Sequence, residues 1–105
     1  MWLDGTGTSQ FIGSISASTV GIYNGAGSWS FVTTSAGNVG IGTMTPGEAL
    51  EVNGGVRLNP KVPKPACTAA HRGTFWLTQG EAGIQDEVEV CAKTAADTYV
   101  WRRIS

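Results

Sequence analysis

Two cysteines, Cys67 and Cys91, one histidine, His71, and the carboxylates Asp86, Glu87 and Glu89 are the residues of this 105-residue chain best suited by type to chemistry. A structural metal site built from cysteine and histidine wants four ligands, and two thiols with one imidazole leave that set short. The cysteine pair therefore reads first as a disulfide, ahead of a two-ligand metal site or a redox pair. An even count in a small domain with few strong apolar residues is a stapling pattern, and a staple implies a setting outside a reducing cytosol. His71 reads as a surface or hydrogen-bonded histidine on the loop before Gly73, with a metal ligand on a threefold axis as the sharper alternative. Glu87 and Glu89 alternate with Val88 and Val90, which predicts a strand with valines inward and carboxylates outward rather than a calcium site. Arg102 and Arg103 are placed to offset that charge from a neighbouring strand.

Enzymatic readings find little support. There is no Gly-x-Ser-x-Gly elbow, and His71 has no serine or thiol that spacing sets beside it. The glycines of Gly37-Asn38-Val39-Gly40-Ile41-Gly42 lack the strand, turn and helix context of a phosphate loop. Nothing positions Glu48 and Glu51 as a glycosidase pair, and a chain of this length has little room for a deep cleft. The expectation is a protein that is not an enzyme and uses no cofactor. A formal net charge of −1 with scattered basic residues argues against nucleic acid or an anionic membrane as partner, and no apolar run is long enough for membrane insertion. The start Met1-Trp2-Leu3-Asp4 lacks the parts of a signal peptide, so the chain either leaves its cell by another route or belongs to a longer protein.

Aromatic residues cluster in the tail as Phe75, Trp76, Tyr99 and Trp101. Trp101 is expected in the core, while Trp76 and Tyr99 are the rings to consider for stacking on a glycan. Trp2, Phe11, Trp29 and Phe31 carry the same two readings, packing or recognition.

The elements that must hold these residues are strands. Gly13–Ser16, Thr19–Ile22, Asn38–Ile41 and Gly55–Leu58 share a scheme in which apolar residues alternate with small or polar ones. Between them, Asn24-Gly25-Ala26-Gly27, Ala36-Gly37-Asn38 and Asn53-Gly54-Gly55 are turn signals. Strands this short suit a winding or stacked β structure better than long hairpins. Fifteen glycines each lose much backbone entropy on folding, and association with identical chains would offset that in a small scaffold. Pro60, Pro63 and Pro65 make residues 60–66 an extended linker outside any sheet. Beyond it, strands are expected at Gly73–Thr78, Glu87–Ala92 and Tyr99–Ile104.

The stretch GNVGIGTMTPGEALEVNGGVRLN, residues 37–59, is similar to the GNVGIGTTxPxxxLxVxG segments that recur in phage tail fibres and in related bacterial fibre or adhesin-like proteins. Gly40, Ile41, Gly42, Pro46, Leu50, Val52 and Gly54 all match, and Met44 departs from the usual small polar residue. The tail resembles a small terminal module of such proteins through Cys67, Gly73, Cys91 and Trp101. The resemblance implies an all-β, intertwined homotrimer, β-helix or β-prism-like over residues 1–59, followed by a small disulfide-stapled β cap over 67–105. Val39, Ile41, Leu50, Val52, Val56 and Leu58 would then form the shared interior. It implies a structural role at the end of a virion tail fibre or another extracellular surface fibre, with the chain itself as principal partner. The alternative is a tip that binds a host-surface glycan or receptor.

Overall fold

The structure, a computed structural model, describes residues 2–5, 8–25 and 27–104. The chain is all-β and divides into two compact units, Met1–Val56 and Arg57–Ser105, each built on one small open sheet.

The first unit holds β1 (Trp2–Gly5), β2 (Thr8–Ser16), β3 (Thr19–Tyr23), β4 (Trp29–Thr34), β5 (Val39–Ile41) and β6 (Leu50–Val52), hydrogen-bonded in chain order. From β1 to β5 every pairing is antiparallel, so this stretch is a meander of hairpins rather than a set of isolated short strands. Glycines in the left-handed region make the turns, Gly25 and Gly27 before β4 and Gly37 before β5. The strand expected at Gly55–Leu58 does not form: Gly54 takes a φ of 149°, and the chain leaves the sheet beyond β6.

Among the described residues only β5 and β6 run parallel, and the residues between them explain the 37–59 motif locally. A parallel neighbour requires a crossover, usually a helix, yet here the connection is an irregular loop. Any Cβ on Gly40 would collide with the Thr43 carbonyl, so glycine lets the loop fold back over β5. Gly42, at φ 76°, starts the reversal. Asn38 Nδ2 donates to the carbonyl of buried Pro46 at 3.1 Å, and the Gly47 amide donates to Glu51 Oε1 at 2.9 Å.

Residues opposite each other across strands share a face. One face gathers Phe11, Tyr23 and Trp29, whose rings stack or meet edge-on at 5.1 to 5.3 Å, around the glycines and fully buried Val32 of the middle strands. A Cβ on Gly21 would stand 2.5 Å from the Phe31 carbonyl and 3.1 Å from Ile15 and Trp29, so those side chains seat directly on backbone. The other face carries Ile12, Ile22, Phe31, Ile41 and Val52 in one row across five strands. The ring of Trp2 lies outside the described side chains.

The second unit holds a 3-10 turn at Ala69–His71 and an antiparallel sheet of β7 (Phe75–Thr78), β8 (Glu87–Lys93) and β9 (Tyr99–Arg103). These strands fall within two residues of the expected ones. Residues 57–68 form no strand before the turn, and several of them lie against the sheet.

Candidate functional site

The second unit is organised around one covered sheet face. Register places Trp76 opposite Glu89, and Cys91 opposite Trp101, so these four residues share it. Cys91, fully buried, is bonded to Cys67 with Sγ atoms 2.03 Å apart, which ties the start of the turn to the central strand. Beside the bridge, the indole Nε1 of Trp101 donates to the Pro65 carbonyl at 3.0 Å, and Lys64 Nζ lies 4.8 Å from the centre of the Trp101 ring. The same ammonium donates to Glu89 Oε1, which also accepts from Thr78 Oγ1 at 2.8 Å. Residues 64–67 therefore act as a strap, held by a covalent bond, an ion pair, a cation–π contact and a hydrogen bond.

That arrangement inverts the alternation expected for β8. Glu89 lies on the covered face, with its side chain 16% exposed, whereas Val88 is 43% exposed on the opposite one. Alternation sorts residues into two faces but cannot say which face the rest of the chain covers; here the strap supplies a cation that makes the carboxylate face the one to cover. Glu87 is likewise engaged, with Arg103 Nε 2.9 Å from its Oε2 in an ion contact whose geometry does not complete a hydrogen bond. Asp86 accepts from the Gly80 amide at 2.7 Å. The three carboxylates thus have separate partners, and among the described residues no group of three metal-ligating side chains converges. His71 ends the 3-10 turn, half-buried, its amide donating to the Thr68 carbonyl.

The hydrogen bond from Lys64 holds the Glu89 carboxyl below its ordinary range; partial burial opposes this, and the Thr78 hydrogen bond and the charges of Lys64 and Arg103 support it. A carboxyl that is more acidic when folded contributes stability above its unfolded value and loses that contribution as pH falls through its folded one. The second unit is accordingly expected to melt at progressively lower temperature as pH falls below about 5, and Glu89→Gln, followed by near-ultraviolet circular dichroism, to flatten that dependence. An unchanged acid limb in the variant would remove the ion pair from the account.

Along the free edge of β7, residues Arg57, Leu58, Asn59 and Pro60 face Phe75, Trp76 and Leu77 across a cavity of about 260 Å³. Gln79 Nε2 donates to Asn59 Oδ1 at its rim. Trp76 lines this cavity but is half-buried, its ring 6.3 Å from that of Trp101; the most exposed ring of β7 is Phe75. Tyr99 sits opposite Lys93 on β9 and does not border the cavity, so the two rings weighed for glycan stacking are not brought into one site. The sequence offered Lys64 and Pro65 only as part of a linker and Asn59 only within the 37–59 stretch, because their partners lie 20 to 36 residues away.

The residues expected to form a shared interior are open in the single chain. Ile41, Leu50, Val56 and Leu58 are exposed, and Val39 and Val52 half-buried. Compared with protein-family models, with curated proteins and with solved structures, the chain matches none.

Proposed function

We propose that this chain is a structural fibre subunit: the trimerising and capping C-terminal region of a phage tail fibre or related surface fibre, its first unit joining two others in an intertwined β-helix or β-prism-like assembly. The observation that carries this reading is the near absence of a private core. Among the described hydrophobic residues only Val32 and Cys91 are buried, while fifteen large ones are exposed. A soluble chain of this kind is completed by association, since small scaffolds rarely bury enough apolar surface alone. The resemblance of residues 37–59 and of the Cys67, Gly73, Cys91, Trp101 pattern to fibre proteins supports the same reading. Light scattering at micromolar concentration should give three times the 10.9 kDa chain mass. A single-chain mass would overturn it.

A receptor- or glycan-binding tip is the second reading, favoured by the cavity beside Trp76. At about 260 Å³ it lies just below the usual ligand-site range of roughly 300–1,000 Å³, so it suits one sugar ring at most.

A further inference from the structure

We propose that the open face of the first sheet, centred on Val20, Ile22, Phe31, Ile41 and Leu50, is the surface on which further copies of this chain dock. This rests on the fibre-subunit reading and adds to it the contact surface, which lies mostly on strands outside the 37–59 motif.

Three observations point to self-association rather than another partner. The first is register. Ile22, Phe31 and Ile41 are mutual cross-strand neighbours, and Val20 and Val39 flank Thr33 in the adjoining row, so the apolar side chains form one continuous patch. The second is charge. From Gly5 to Gly47 the sequence contains no aspartate, glutamate, lysine, arginine or histidine. A face without charge has nothing with which to select a charged partner, and another uncharged face is its complement. The third is area. The five residues are 37% to 59% exposed. Together they leave roughly 400 Å² uncovered, the size of the largest apolar patch of a typical monomer, which is often a functional surface. Two such faces brought together remove about 800 Å² from water before Val39, Val52 and the intervening backbone are counted, close to the ~1,000 Å² at which specific interfaces begin.

The opposite face is unsuited to the task. Its aromatic cluster and the β5–β6 loop already occupy it, so side chains there pack on their own sheet.

The test uses the full chain. Ile22→Glu and Ile41→Glu each place a charge in the patch on a side chain that the single chain leaves partly open. Each is expected to weaken association at least a hundredfold by sedimentation equilibrium with an unchanged far-ultraviolet spectrum, whereas Ala36→Glu in the exposed β4–β5 turn leaves the mass unaltered. A gentler probe does not depend on the charged variants folding. In the wild-type background an Ile22→Cys thiol should be alkylated at least tenfold more slowly than one at Ala36→Cys, and the difference should vanish on dilution to single chains. An oligomeric wild type whose glutamate variants keep their mass, or whose two thiols react alike, overturns the surface and spares the fibre-subunit reading. A single-chain wild-type mass overturns both. Protection of the Ile22→Cys thiol only on adding phosphatidylcholine vesicles would assign the face to a lipid surface and overturn docking between copies.

Discussion

Removing the Cys67–Cys91 bridge, by reduction or by the double substitution Cys67→Ala with Cys91→Ala, is expected to destabilise the second unit steeply. The cysteines are 24 residues apart in sequence. In the chain-entropy description, closing a loop of that size stabilises by roughly 3–4 kcal/mol. That is a large share of the stability of any small domain, commonly about 5–15 kcal/mol. The unit has little else: Cys91 is its only fully buried apolar side chain among the described residues, and the remaining interior is a strap lying on a three-stranded sheet. Cutting the bridge also releases the strap, so Trp101, Lys64 and Glu89 lose their partners in the same event. The near-ultraviolet signal should melt at least about 15 °C lower in reducing buffer than in its absence. A shift of only a few degrees would show that the ion pair and Trp101 hold the strap without covalent help.

How far the sequence could reveal this architecture depended on the range over which each feature is specified. The bridge, the three tail strands and the glycine turns are local or compositional, and each was legible: Gly25, Gly27 and Gly37 all take the positive φ that their turns need. The turn between β8 and β9 was not, because Asp97 rather than glycine occupies the left-handed position, at φ 62°, and its carboxylate pairs with Lys93. β4 was missed for another reason. Trp29 and Phe31 read equally as packing or recognition residues, and the alternation that Ser28, Trp29, Ser30 and Phe31 begin is broken by Val32. The inverted faces of β8 were illegible in principle, since the cover comes from Lys64 and Pro65 across a proline-rich stretch that alone reads as a linker. The 37–59 motif shows a subtler limit. Its resemblance to fibre segments set its glycines in a multi-chain context, yet Gly40 and Gly42 are accounted for within one chain by the loop that carries β5 into β6.

Trp101→Ala is expected to destabilise the second unit by about 2–4 kcal/mol, somewhat below the figure for a fully enclosed tryptophan because the ring is only half-buried. Three contacts go together: the hydrogen bond to the Pro65 carbonyl, the approach of Lys64 to the ring, and the tilted contact with Trp76. Trp101→Phe separates them. A phenyl ring keeps an apolar face for Lys64 and Trp76 but has no N–H, so the strap carbonyl loses its donor, and the residual loss should be near 1 kcal/mol. Thermal or urea unfolding of the three proteins gives the ranking directly, and equal stabilities for the alanine and phenylalanine variants would mean that the hydrogen bond, not the ring, holds the strap. Trp76→Ala provides the contrast. Its indole borders the cavity with Arg57 and Asn59, so truncation should cost less than at Trp101, about 1–2 kcal/mol, and leave the mass in solution as it is in the wild type. If that variant, folded and of wild-type mass, lost a glycan signal that the wild type gives on an array, the cavity would become the business end of the molecule and the fold its support. If the wild type gives no signal, the tryptophans are what their geometry indicates: two rings that hold a proline strap on a small stapled sheet.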